Sequence, residues 1–304
     1  MVDATITNPT SKEKRKIGQS DKPLPIGKFA IYAVLAIGVI FSMIPFLWML
    51  SWSVMTRPEV IVGRTVPAEI QWQNYPDAWV GGEFSDLMWN SVRITGITLG
   101  GLLLFCIPAA YAFARMKFWG RDVLFGITLA TLMIPDIVTL IPNFLTVVWF
   151  HRLSITFFGE AGAWLNNWPS LTIPFMASAF TIFLLRQFFA QIPDDLWDAA
   201  RMDGASHIQF LLRIVLPLST APIMTITTFA FIGSWNALLW PLLVINGESW
   251  QPIALGLRNF VTVAGDEFHL QMAASVIMII PVVTLYFFTQ KQFTEGIYSG
   301  SFKG

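Results

Sequence analysis

Six long apolar runs limit what this chain can fold into more than any other feature. They fall at about residues 29–54, 91–114, 123–148, 168–189, 216–243 and 272–289. A helix that crosses a bilayer needs about 20 apolar residues, and only helices or closed barrels satisfy their backbone groups in lipid. Runs of this length predict an all-α membrane protein with six transmembrane helices. The low share of charged residues, 12%, fits, since soluble domains carry about 25%. The first run is far longer than the apolar core of a cleaved signal sequence, about 7–15 residues, and is expected to remain as a span.

Positive charge orients the spans, because cytoplasmic loops hold the excess of Lys and Arg. Residues 1–28 contain Lys12, Lys14, Arg15, Lys16, Lys22 and Lys28 and read as a polar cytoplasmic tail. With six spans the tail shares its side with Arg115, Lys117, Arg121, Arg186, Arg201, Arg213, Lys291 and Lys303. The opposite side holds only Arg57, Arg64, Arg93, Arg152 and Arg258. Both termini are therefore expected in the cytoplasm, with a membrane domain over 29–290 and a cytoplasmic tail over 291–304. The outer loops carry Gln71-Trp72-Gln73-Asn74, Trp79, Trp89, Trp164-Leu165-Asn166-Asn167-Trp168 and Trp250. Two readings stand for them, an aromatic belt at the interface and a docking surface for an outside protein.

Two runs are interrupted. The third contains Pro135-Asp136 and Pro142-Asn143, and the fifth contains Trp235-Asn236 and Trp240-Pro241. Broken helices at membrane depth are tolerated where protein or a water-filled cavity satisfies the freed backbone. An intramembrane carboxylate is costly and usually functional. Asp136, Asn143, Trp235 and Asn236 are therefore candidates for a translocation path. The plainer alternative is an interfacial Asp136 beside a simple proline kink. In the second run Gly96 and Gly100 stand at i and i+4, followed by Gly101, a spacing that permits close helix packing.

The polar stretch between the fourth and fifth runs has its own pattern. Pro193-Asp194-Asp195 suits a helix start, where acids meet the positive end of the dipole. Leu196, Ala199 and Ala200 recur at i, i+3, i+4 and predict one apolar face. Gly204 is expected to end this helix and Ser206 to cap a second one. In that second helix Ile208, Leu211, Leu212 and Val215 predict another apolar face, and Pro217 marks entry to the fifth run.

Several function classes lack their residues. Net charge is +0, which gives no basic surface for nucleic acid. No Gly-x-x-x-x-Gly-Lys-Ser/Thr loop is present to cradle phosphates, and no Gly-x-Ser-x-Gly elbow. His151, His207 and His269 do not form a His-Glu-x-x-His pair for metal. The lone Cys106 cannot make an intrachain disulfide. The chain is thus expected to be no enzyme, to hold no metal or cofactor and to have no ATP site. An ion-coupled secondary transporter would need internal repeats and several buried carboxylates, and Asp136 stands nearly alone.

The order Asp198-Ala199-Ala200-Arg201-Met202-Asp203-Gly204, followed by Ile214-Val215-Leu216-Pro217, resembles the Glu-Ala-Ala loop of binding-protein-dependent ABC importer permeases. The ending Gln290 through Ile297 and Gly300-Ser301-Phe302-Lys303-Gly304 resembles carbohydrate-importer permeases, closest to the smaller permease subunit of the maltose-type system. Trp235-Asn236, Trp240-Pro241-Leu242, Met272-Ala273-Ala274 with Pro281, and Asn90-Ser91 are similar to that branch too, so the likeness covers roughly residues 30–304. One departure is Asp198, where the family usually has Glu.

The resemblance implies a cytoplasmic coupling helix between spans four and five, in a loop over about 193–217. Its contact residues would be Asp198, Ala199, Ala200, Asp203, Gly204 and Pro217, with Lys303 and Gly304 reaching the ATPase interface. It implies a second permease subunit, an ABC ATPase dimer that uses ATP and Mg, and an extracytoplasmic solute-binding protein, all at a prokaryotic inner membrane. The implied cargo is a sugar or oligosaccharide, the alternative being another solute of the same transporter class.

Overall fold

The computed structural model describes residues 25–260 and 267–300, in two compact units, 1–48 and 49–304. The N-terminal tail predicted over 1–28 lies almost wholly outside the described residues, as do Lys303 and Gly304. Helix α1 (Pro25–Trp52) supplies the described part of the first unit and runs into the second. Every regular element among the described residues is helical.

The second unit opens with two short helices, α2 (Arg57–Ile61) and α3 (Asn74–Gly81), before the long α4 (Phe84–Arg115). Next come α5 (Arg121–Thr131) and α6 (Asp136–Phe158). Helix α7 (Trp168–Thr172) leads through a 3-10 turn to α8 (Ala179–Gln191). Helices α9 (Asp194–Met202), α10 (His207–Phe210) and α11 (Leu216–Leu218) follow, with a π-helical turn over Leu211–Val215. Helix α12 (Thr220–Trp235) precedes α13 (Leu239–Val244) and α14 (Ile253–Gly256), and α15 (Phe268–Gly300) is the last.

Among the described residues, four stretches are long and apolar enough to cross a bilayer: Lys28–Trp52, Phe84–Arg115, Asp136–Gly162 and Phe268–Gln290. Two bent pairs raise the number to six if each counts as one span. They are Trp168–Phe175 with Ala179–Gln191, bent by 41°, and His207–Leu218 with Thr220–Trp235, bent by 81°.

The interruptions expected at Pro135 and at Trp235-Asn236 are present, and three details need correcting: the end of the third run, the start of the fifth and the place of close glycine packing. The run 123–148 is not one helix. Residues 132–135 break it, and α6 then continues to Phe158, ten residues past the expected end. Pro135 stands at the N-cap of α6 with φ −59 and ψ 136, the extended geometry that ends a helix before proline's ring would clash. Pro142 sits inside α6 without breaking it. There the Thr146 hydroxyl donates to the Pro142 carbonyl at 2.9 Å.

The run 216–243 is likewise divided. The 81° bend at Ser219 separates its start from α12, and residues 236–238 separate α12 from α13. Pro217 and Pro222 flank the bend, and each removes a backbone donor from the helical ladder. Finally, nothing lies within 4 Å of where a Cβ on Gly96 or Gly100 would stand. The close approach belongs to Gly101, whose Cβ would meet Met176 Cγ at 2.4 Å.

Helix α4 organises the second unit, packing against α8, α12 and α7. Buried side chains form three clusters along it. One joins Leu102, Cys106 and Tyr111 to Leu185, Phe189, Phe210 and Val215. Another joins Phe84 and Leu87 to Trp235, Ile253 and Ala273. The third joins Ile94 to Val147, Leu171 and Trp240. Much of the remaining helical surface is apolar, for example Leu104, Ile137, Leu145 and Phe287, which suits lipid better than water.

Asparagines of the predicted outer loops bond to the backbone of other segments. Asn74 donates to the carbonyls of Ser53 and Met55 at 3.0 and 2.8 Å. Asn166, at φ 58, accepts from the N–H groups of Asn246 and Gly247 at 2.6 and 3.2 Å. These residues bind loops together, a role their composition alone did not disclose.

Candidate functional site

Helix α9 begins after Pro193 with Asp194 and Asp195 in its first turn, where the helix dipole favours negative charge. Its end is a complete Schellman motif. Asp203 is the C-cap, and Gly204 follows with φ 79. The Gly204 N–H donates to the Arg201 carbonyl at 3.0 Å and the Ala205 N–H to the Ala200 carbonyl at 2.9 Å. These are the 5→2 and 6→1 bonds of the motif. No neighbour crowds Gly204, so its requirement is the left-handed backbone that side chains disfavour.

One residue later a capping box opens α10. The Ser206 Oγ accepts from the Gln209 N–H at 3.3 Å, and the Gln209 side chain accepts from the Ser206 N–H at 2.8 Å. Reciprocal capping satisfies two free donors at once. Pro217 falls within α11, just before the bend.

The inner face of this helix–turn–helix differs from the expected one. Ala200 is buried, but Leu196 and Ala199 face outward. Trp197 takes their place inside. Its ring lies 4.3 Å from that of His207 at 15°, and 5.0 Å from Phe210 at 68°. His207 Nδ1 shares a 2.8 Å hydrogen bond with the Tyr111 hydroxyl of α4. In the second helix Phe210, Leu211 and Val215 are buried, while Ile208 and Leu212 are exposed. The π turn over Leu211–Val215 adds a residue to one helical turn and so shifts the 3.6-residue register on which the predicted face depended. The outer surface holds Asp198, Ala199, Asp203, Met202 at 83% exposure and Ile208 at 70%.

Arg115, in the last turn of α4, clamps the start of α9. Its Nε donates to the Phe189 carbonyl at 2.9 Å. Its two terminal nitrogens reach the Ile192 carbonyl and the Asp194 carboxylate. One planar guanidinium thus joins the end of α8 to the start of α9, using the fixed fork that distinguishes Arg from Lys. Sequence reasoning used Arg115 only in the charge count. Its position at the end of an apolar helix was the available signal.

A second site forms where broken helices meet. The breaks before α6, before α8 and after α12 open onto a cleft of about 940 Å³. Asp136, Asn143 and Asn236 all line it, together with Thr139 and Ser178. Phe175, Phe180 and Trp240 supply apolar wall. Trp235, the fourth sequence candidate, is not there. It is 1% exposed, stacks on Phe231 at 5.4 Å and donates its indole N–H to the Met278 carbonyl at 3.1 Å. Residues 174–180 went unnoticed in the sequence because Pro174 is the only interruption signal there. A smaller, mostly apolar cavity of about 310 Å³ adjoins the cleft and shares Phe175, Ser178, Phe180 and Trp240 with it.

Comparison with known proteins gives four matches. Residues 103–297 match the family described as "Binding-protein-dependent transport system inner membrane component". The chain is 33% identical over 241 residues to the sn-glycerol-3-phosphate transport system permease protein UgpE of Yersinia pestis bv. Antiqua, covering 76% of this chain and 81% of that protein. It is 28% identical to the lactose transport system permease protein LacG of Rhizobium radiobacter, covering 88% and 93%. Among solved structures, a bacterial ABC transporter involved in import of the acidic polysaccharide alginate superposes with a TM-score of 0.76. That match has 26% identity and covers 88% of this chain and 96% of that one.

Proposed function

Because the chain belongs to the family of inner membrane components of binding-protein-dependent transport systems, we propose that it is a permease subunit of an ATP-driven importer. In this reading it takes a sugar or oligosaccharide from an extracytoplasmic binding protein into the cytoplasm. A second permease subunit completes the pore. An ABC ATPase dimer, which uses ATP and Mg, works from below. The names of the relatives, transport permeases for lactose and for sn-glycerol-3-phosphate, support the cargo class, as does the alginate importer.

Each bent pair counts as one span, giving six, with both termini cytoplasmic as the Lys and Arg distribution demands. Helix α9 is the coupling helix. The observation that carries this is its two-sidedness. The inner face is fixed to α4 through Trp197, His207, Tyr111 and Arg115. The outer face presents Asp198, Ala199 and Met202 to whatever docks there. A lever needs a rigid attachment at one face and a free surface at the other. Asp198, one methylene shorter than Glu, keeps the charge, and Lys303 and Gly304 extend the same ATPase interface.

Purification of the tagged chain in mild detergent tests the assignment. Co-purification of an ATPase, a second permease and a binding protein is expected. Met202→Asp in the outer face is expected to lose the ATPase while keeping the second permease. Recovery of the chain alone, or ATPase retained at full yield with that variant, would refute the coupling role.

A further inference from the structure

The wall of the 940 Å³ cleft has a distinctive charge. Among the described residues that line it, Asp136 is the one that is charged. The other polar groups there, Thr131, Thr139, Asn143, Ser178 and Asn236, are neutral, and no Lys, Arg or His stands among these described residues. Phe175 and Phe180 present ring surface, each about half exposed. Trp240 adds apolar wall but spends its indole N–H on the Ser170 carbonyl at 2.8 Å.

This chemistry suits a solute with many hydroxyls and no charge. A carboxylate only accepts hydrogen bonds, and hydroxyl groups donate to it strongly because the bond is charge-assisted. Asn side chains both donate and accept, as each sugar hydroxyl requires. Aromatic faces take the C–H side of a pyranose ring. The cleft volume lies near the top of the range for small-molecule sites, about 300–1,000 Å³. A phosphate or uronate would meet the reverse. Anion sites are built from Arg, Lys or converging N–H groups. The starts of α6 and α8 face the cleft, but Asp136 already occupies the first turn of α6 and the Ser178 hydroxyl caps α8 by accepting from the Thr181 N–H at 3.3 Å. Here an anion would instead approach a like charge in a low-dielectric passage, where repulsion is only weakly screened.

We propose that this cleft is a passage for uncharged polyhydroxylated solutes and that Asp136 is its charge filter, disfavouring anionic cargo. The proposal rests on the importer reading and sharpens its cargo. It separates this chain from similar proteins named for an anionic cargo, glycerol phosphate or alginate.

Thiol labelling of the assembled importer tests it. Cys106 is this chain's sole cysteine, so Cys106→Ser clears the chain for Asn236→Cys, and the Cys106→Ser importer without a new cysteine gives the partners' labelling to subtract. The probes are methanethiosulfonates bearing a trimethylammonium, a hydroxyl or a sulfonate. Each rate is divided by that reagent's rate with β-mercaptoethanol, without and with ATP. The normalised sulfonate rate is expected to be about tenfold below the hydroxyl rate, and Asp136→Asn should bring the two within about twofold. Asn143→Cys serves as a second reporter in case the first variant does not assemble. An unchanged ratio in Asp136→Asn overturns the filter. Failure of every reagent to modify either cysteine, with or without ATP, overturns the passage. Neither readout uses ATP-driven uptake. Normal ATP-driven uptake in Gly204→Asp would therefore refute the coupling reading while leaving the labelling ratio to judge the cleft.

Discussion

Trp197 and His207 stack with ring centroids 4.3 Å apart and planes 15° from parallel, and this pair closes the turn between α9 and α10. Tyr111 of α4 holds the imidazole from its other side through the 2.8 Å bond to Nδ1. Trp197→Ala should therefore detach the helix–turn–helix as well as leave a void. Trp truncation in a core costs about 3–5 kcal/mol, and this ring is only partly buried, so about 2 kcal/mol is expected. The checks are thermal unfolding in detergent and protease cleavage within 194–207, which should appear in the variant well below its melting point.

Arg115 makes a second, separate prediction. Arg115→Lys keeps the charge but cannot reach the Phe189 carbonyl, the Ile192 carbonyl and the Asp194 carboxylate together. The ion pair with Asp194 contributes little by itself, because the Asp194 side chain is 85% exposed although that of Arg115 is only 8% exposed. The two backbone acceptors matter more, because an unsatisfied partly buried acceptor costs about 1–3 kcal/mol. Hydrogen exchange over residues 189–196 should rise in Arg115→Lys nearly as much as in Arg115→Ala. Protection as in the unmodified protein would show that charge alone sufficed.

Gly204 tests the coupling role directly. At φ 79 any L side chain pays about 1–2 kcal/mol for the left-handed backbone, and Asn pays least. Gly204→Asn is expected to retain most ATP-driven uptake. Gly204→Asp, or deletion of 198–204, should leave ATP hydrolysis running without uptake, while membrane insertion stays normal. Asp198→Glu should keep uptake within about twofold, since the position is exposed and Glu keeps the negative charge on a better helix former. Reconstituted uptake and hydrolysis, measured on the same vesicles, separate these outcomes.

What the sequence made legible here was local. Gly204 and Ser206 were readable as a stop and a cap because both act on backbone groups within a few residues. Pro135 was readable as a break for the same reason. The inner face of α9 was not, because its choice of Trp197 over Leu196 is made by Tyr111 and Phe210, far along the chain. The pairing of Gly101 with Met176, and the burial of Trp235 against Phe231 and Met278, are likewise products of packing. Asp136, Asn143 and Asn236 stood out singly as polar groups at breaks. That they share one cleft depends on where three separate breaks meet, which spacing along one chain does not encode.

Glu59 gives a prediction in pH. Its carboxylate accepts from the Thr56 N–H at 3.0 Å, the Thr56 hydroxyl at 2.9 Å, the Ala68 N–H at 2.9 Å and Arg64 at 3.2 Å. The backbone bonds from Thr56 and Ala68, with the Thr56 hydroxyl and then Arg64, hold its pKa at about 2, below the usual 4.5. A carboxylate with a lowered folded pKa stabilises the fold above the unfolded value and loses that contribution as pH falls. The loop over 56–68 should therefore keep full hydrogen-exchange protection, relative to intrinsic rates, down to pH 4.5 and lose it progressively toward pH about 2. Glu59→Gln removes the titrating group and weakens every acceptor, so its loop should be less protected at neutral pH and show no further fall on acidification. A loop that loosened already between pH 7 and 5 would require another group to control it.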